Sequence, residues 1–187
     1  MILETIVTTQ DKAGKPHIAP MGVHAWREGW AILPFRPSQT LDNLLATGVA
    51  VMNATDDVRI FAGCLTGHLE WPLALAERIA CPRLRDALSH TELKLVHVED
   101  NPIRPKLFCH PVHQVNHAPF LGFNRAQFAV LEAAILVSRL NLLPLEKIEK
   151  ELTHLQTVLD KTAGSREIEA WQWLMAQIES FKQQKTL

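Results

Sequence analysis

The 187-residue chain is short of several features that would settle a function at once. It has three cysteines, Cys64, Cys81 and Cys109, an odd number with no CxxC pair. That excludes a disulfide framework and fits a reducing, cytoplasmic setting. Charge of either sign is not in excess. The formal net charge is −1, so no basic field marks a nucleic-acid partner. Long hydrophobic runs are missing too. The most apolar stretch, Phe128 to Leu143, is interrupted by Glu132 and Arg139 and is too short for a bilayer span, so no membrane is expected. The N-terminus "MILETIVTTQDKAGK" carries Glu4 and has no basic start before an apolar core, unlike a signal peptide. Nucleophile elbows, HExxH and phosphate-binding P-loop patterns are absent, as are repeats and low-complexity linkers.

What remains is an ordinary globular composition, 47% apolar and 21% charged, laid out in two halves of different character. The first half alternates strand and turn. "LETIVTT" is rich in β-branched residues, "QDKAGK" supplies a turn around Gly14, "PHIAPMGVHAW" runs back, and "REG" leads into "WAILPF". Successive hairpins predict an antiparallel meander in place of βαβ units. "SQTLDNLLATG" has leucines at helical spacing and ends on Gly48; "VAVMNA" is a short strand. Asp56 or Asp57 is expected to cap a brief helix through Phe61. "TELKLVHVED" and "PKLFCHPVHQV" read as two later strands, and Trp71 to His90 gives no clear pattern.

Beyond Phe120 the periodicity becomes helical. "NRAQFAVLEAAILVSRLNLL" predicts a helix of about five turns, apolar nearly all round and therefore expected to be buried between the β-rich part and two further helices. Those two, "LEKIEKELTHLQTVLDKT" and "REIEAWQWLMAQIESFKQQ", are amphipathic, parted by Gly164 with Ser165 as a cap. Trp171 and Trp173 lean to opposite sides, one toward core and one toward an interface.

The densest chemistry lies at "PFRPSQTLDNLLATG", where a strand gives way to a helix. A helix start offers free N–H groups and the positive end of a dipole, which suits a phosphate. Arg36 supplies a planar fork and Ser38 and Thr40 supply hydroxyls. Backbone N–H groups of Gln39 to Leu41 can complete the shell. Asn43 can reach a phosphate or a polyol. The alternative is an ordinary N-cap by Ser38 with Arg36 merely solvated.

"RPSQTLDNL" resembles the phosphate loop of the FMN-binding split barrels, the flavin reductase-like superfamily. With "PHIAPMGV", "VMNATDD", "PFLGFNRAQFAVLEAAILVSRL" and "DKTAGSREIEAW", nearly the whole chain resembles the DUF447 family. The resemblance implies an α+β fold, an antiparallel split β-barrel over 1–118 with a C-terminal helical subdomain over 119–187. It implies a homodimer with FMN near the subunit interface. The cofactor-binding set it implies is Met21, Gly22, Arg36, Pro37, Ser38, Gln39, Thr40, Asn43, Asn53, Asn124 and Arg125. Gly22 would let a flat ring approach the strand, or would mark a β-bulge. Asn53 would bond the flavin's pyrimidine edge, or serve as a turn residue. Arg125 would meet phosphate or a second anionic ligand, or a carboxylate of the β-rich part.

The resemblance supplies no catalysed reaction; the first expectation is an FMN-dependent oxidoreductase transferring hydride between a reduced nucleotide or deazaflavin and a small-molecule redox substrate, with an association to methanopterin-type one-carbon metabolism. The alternative is a non-catalytic FMN carrier. A third reading rests on "CHPVHQVNH". On a strand, Cys109, His113 and His117 would share one face and His110 the other. This spacing matches no common zinc motif, so no metal is assigned.

Overall fold

The computed structural model of the chain describes residues 1–186. In chain order the elements are β1 (Ile2–Gln10), β2 (Pro16–Trp26), β3 (Gly29–Ile32), α1 (Gln39–Thr47), β4 (Val49–Ala54), α2 (Arg59–Thr66), β5 (Leu73–Leu75), β6 (Pro82–Leu84), β7 (Ser89–Glu99), β8 (Lys106–Asn116), α3 (Arg125–Ser138), α4 (Leu145–Thr162) and α5 (Ser165–Thr186). They form two compact units: Met1–Thr55 with Trp71–Phe120, and Asp56–Glu70 with Leu121–Leu187.

The first unit is a closed barrel in the order β1-β2-β3-β8-β7-β4, every pairing antiparallel, plus a β5–β6 ribbon. The β1–β2 turn is set by Asp11, whose Oδ1 accepts from Ala13 N and Lys15 N, both at 2.9 Å, while Gly14 takes φ 83°. The register between these strands runs unbroken from Ile2↔His24 to Gln10↔Pro16, so Gly22 pairs with Glu4 and there is no bulge at that position. Val7, Val23, Ile32, Ala50, Leu93, Leu107 and Cys109 fill the barrel core with Leu41 and Leu44 of α1.

Strand β3 is shorter than "WAILPF" predicts, ending at Ile32. Pro34 cannot donate to a ladder, and the chain turns instead to side-chain partners described below. Within β3, an added Cβ on Gly29 would collide with the carbonyl oxygen of Cys109 on β8. Gly29→Ala is therefore expected to destabilise the barrel by about 1–3 kcal/mol, the range for overpacking against backbone. A urea midpoint unchanged from wild type would contradict that close approach.

The second unit is helical. One stripe of α3, Ala126, Ala129, Val130, Ala133, Ala134 and Val137, is buried with Val58 and Ala62, with Ile148, Leu152, Leu155 and Leu159 of α4, and with Ala170, Trp171, Leu174 and Ile178 of α5. The other side of α3 is not buried in its own unit: Phe128 is 56% exposed. The helix also stops at Ser138, earlier than expected. Arg139 N and Leu140 N turn back to Leu136 O and Val137 O, a tightening of the last turn. Helix α2 begins after Val58, which makes no side-chain cap; Asp57 Oδ1 instead accepts from Arg59 N at 3.2 Å. It runs to Thr66, beyond the expected end at Phe61. Trp171 is core, whereas Trp173 is half-buried and stacks on His68 at 4.0 Å between centroids.

Candidate functional site

The segment between β3 and α1 is held by the β7–β8 turn. Leu33 O accepts from Arg104 Nε (3.0 Å) and Arg36 N donates to Ile103 O (2.9 Å). The Arg36 side chain donates from Nε to Asn101 O (3.2 Å) and from Nη2 to Asp100 Oδ1 (2.7 Å). Arg104 lies over the Phe35 ring at 4.7 Å. Asn101 Oδ1 shapes the turn by accepting from Ile103 N and Arg104 N, both at 2.9 Å. Arg36 is thus neither merely solvated nor unbound: its guanidinium is aimed by an exposed carboxylate. The Arg36–Pro37 peptide is cis.

Ser38 caps α1 as expected, its Oγ accepting from Leu41 N at 3.3 Å and its carbonyl from Asp42 N at 3.0 Å. Two features leave polar groups for a ligand. The N–H groups of Gln39 and Thr40 take no partner among the described residues. Thr40 is fully buried and its Oγ1 has no hydrogen-bond partner among the described residues. A buried orphan hydroxyl is disfavoured by about 1–3 kcal/mol, so its position at a helix start is an observation that an anion would explain.

The amides of the candidate set are committed elsewhere. Gln39 Nε2 donates to Asn43 Oδ1 (2.6 Å), and Asn43 Nδ2 to Thr9 Oγ1 on β1 (3.0 Å). Asn53 is fully buried. Its Nδ2 donates to Ile6 O, Thr8 Oγ1 and Val51 O, and its Oδ1 accepts from Leu84 N at 2.9 Å. Asn124 caps α3, accepting from Ala126 N (2.8 Å) and donating to Thr162 O (3.1 Å). Arg125 is exposed on the first turn of α3, in the helical unit. Met21 and Gly22 are half-buried on β2. The structure therefore gathers Arg36 to Thr40 into one loop, with Asn43 bracing it. Asp100, Asn101 and Arg104 were not singled out from the sequence; "DNPIR", a turn between two strands, was the available signal.

The histidine cluster resolves differently from its expected alternation. A register shift lies between Glu92 and Leu93, where Glu92 pairs with His113 and Leu93 with Pro111. The extra residue turns the strand over. Cys109 faces the barrel core, with its thiol pushed up to about 12 by burial. His113 and His117 instead meet Glu77 and His90 on the other face. Among the described residues no group of three or more His, Cys, Asp or Glu is placed to hold a metal ion. None of the described helices is long and apolar enough to cross a membrane.

A closed six-stranded antiparallel barrel with a donor-rich loop leading into a helix defines the FMN-binding split-barrel fold. The chain belongs to the DUF447 family. The model described as protein of unknown function (DUF447), N-terminal domain, matches residues 3–118, and the DUF447 C-terminal model matches residues 124–176. Among solved structures the chain is similar to the FMN-bound protein MM1853 of Methanosarcina mazei, with a TM-score of 0.83 and 21% identity over 94% of each chain. It is also similar to the 2-nitrobenzoate 2-nitroreductase NbaA of Pseudomonas fluorescens, at TM-score 0.54 and 22% identity, covering 60% of this chain and 64% of that one. A third similarity is to BorF, the flavin reductase component of a bacterial two-component tryptophan halogenase, at TM-score 0.53 and 16% identity, covering 64% and 82%.

Proposed function

We propose that the protein binds FMN, with the phosphate received at the start of α1, and that it acts as an oxidoreductase. The observation that carries this reading is the buried Thr40 hydroxyl without a partner beside two uncommitted N–H groups. Arg36, Ser38 and the Gln39–Thr40 backbone would hold the phosphate, with Pro37 shaping the turn. Asp100 would keep the Arg36 fork aimed while leaving its remaining N–H groups to bond the anion. Met21 and Gly22 offer a strand surface for the ring. Asn43 braces the loop through Gln39 and Thr9, Asn53 ties β1 to β4, and Asn124 caps α3. Arg125 is a candidate contact for an anionic ligand. When bound, FMN would supply hydride transfer between a reduced nucleotide or deazaflavin and a small oxidised substrate. The protein's own tasks are to hold, orient and shield. The family resemblance supports a substrate from methanopterin-type one-carbon metabolism and a homodimer with FMN near its interface. Phe35 and Ile103, 60% and 66% exposed beside the loop, support an apolar partner surface there.

Mass spectrometry of the ligand released from purified protein is expected to give FMN; a different ligand would overturn the assignment. Arg36→Ala is expected to weaken FMN binding by about 1–2 kcal/mol, the scale of a lost charged hydrogen bond. Thr40→Val gives a sharper contrast. It is expected to raise the thermal midpoint of ligand-free protein by removing an orphan hydroxyl, while weakening FMN binding by about 1 kcal/mol. Titration of both variants checks the loop, and equal affinities would remove it from the site. Bleaching of the bound flavin by a reduced nucleotide, with turnover on an acceptor, separates an oxidoreductase from a carrier.

A further inference from the structure

The geometry points to a second chemical site in the barrel unit, independent of the loop: a proton relay from Glu92 through His90 to His117 that offers a basic imidazole nitrogen at the protein surface. Glu92 and His90 are fully buried, while His117 is exposed at the end of β8. The Glu92 carboxylate accepts Glu77 N at Oε1 (2.6 Å) and Arg78 N at Oε2 (2.8 Å). His90 Nε2 lies 3.3 Å from Glu92 Oε1, and His90 Nδ1 lies 2.8 Å from His117 Nε2. The two imidazoles are nearly parallel, 7° between planes.

Hydrogen-bond accounting fixes the protons. An ionised carboxylate only accepts, so His90 Nε2 must donate to it. In neutral His90 the Nδ1 lone pair is then free and must accept, so His117 Nε2 donates. His117 Nδ1 is left with a lone pair, on a residue exposed to solvent. A ligand's O–H or N–H proton taken by Nδ1 lets the Nε2 proton of His117 pass to His90 Nδ1. The ligand becomes an anion, His117 ends neutral with its proton on Nδ1, and the positive charge rests on His90 against Glu92. The reverse sequence delivers a proton. The carboxylate and His90 position and recharge the group that would touch the ligand, the logic of a carboxylate–imidazole pair behind a reacting base.

The groups facing the relay fit this use. Burial holds Glu92 up, but the Glu77 and Arg78 N–H groups and His90 outweigh it and keep the carboxyl below its usual range. Burial, Arg83 of β6 and His90 disfavour charge on His117 and outweigh Glu77, so this ring stands neutral. His113 is occupied by Glu77, Nε2 to Oε2 at 3.0 Å, and its ring lies edge-on to His90 at 6.2 Å. The ligand class is a small molecule with a weakly acidic O–H or N–H, such as an enol or a heterocyclic amide.

The test is long-range proton–nitrogen correlation NMR of the full chain labelled with 15N-histidine, assigned through His90→Gln and His117→Gln. At pH 8 both rings are expected as Nε2–H tautomers, and on acidification both are expected to shift in one shared transition. In Glu92→Gln that transition is expected to fall by about one pH unit, tenfold in acidity. An Nδ1–H tautomer at His117, or two rings titrating independently, would overturn the relay. Those wild-type readings decide the matter even where Glu92→Gln fails to fold.

Discussion

Glu92→Ala is expected to destabilise the barrel unit by about 3–5 kcal/mol, the scale of three hydrogen-bond donors losing one buried charged acceptor. The carboxylate is fully buried and takes two backbone N–H groups and an imidazole. Alanine leaves Glu77 N, Arg78 N and His90 Nε2 without their acceptor. Urea unfolding measures the loss, and amide exchange locates it: Glu77 and Arg78 should exchange much faster, Ile6 and Val7 less so. A loss under about 1 kcal/mol would show that water replaces the carboxylate at little cost. The pH dependence has a definite sign. The folded carboxyl lies below its usual value, so its stabilisation is complete above the unfolded value of about 4.3 and is lost as pH falls through the folded value. Glu92→Gln is expected to flatten that acid limb of the stability curve.

Asn53→Ala is expected to be nearly as damaging, about 2–4 kcal/mol, from an orphaned N–H and a small cavity. Its carboxamide ties β1 to β4 and receives Leu84 N from the β5–β6 ribbon. Thr8 Oγ1 reinforces the same seam by donating to Pro82 O at 2.6 Å. Asn53→Asp should be worse at neutral pH, because a carboxylate would face two backbone carbonyls with no donor of its own. Stability is read by denaturant titration and FMN affinity by titration of the folded variant. If Asn53 braces the barrel, stability falls and the affinity of folded protein changes little; the opposite pattern would return it to direct flavin contact.

These two residues show where sequence reading stopped. "VMNATDD" places an asparagine at a strand end, where turn and ligand roles are equally natural. Its true partners are Ile6 and Leu84, 47 and 31 residues away. "TELKLVHVE" reads as an alternating strand, and nothing in it says that Glu92 is dry. That follows only because residues 71–88, within the stretch that carries no clear pattern, fold into a ribbon against β1 and β4 whose turn brings Glu77 N and Arg78 N to the Glu92 carboxylate. The Ser38 cap, by contrast, is local, three residues from its partner N–H, and was legible. So was the β1–β2 turn, where Asp11 and Gly14 act within five residues.

The sequence by itself determined what depends on neighbours in the chain: the hairpin order, the α1 cap and its donor-rich approach, and the change from period two to helical period near residue 120. It also carried enough of the family's motifs to imply the split barrel. The tertiary structure alone decided which polar groups are dry and whom they bond. It closed the barrel through β1–β4 pairing, aimed Arg36 with Asp100, and buried Thr40 without a partner. One extra residue in β8 sent His113 away from Cys109. The physical reason is that burial and long-range pairing arise from segments meeting in space, and a single added residue reverses the side that every later side chain in a strand faces.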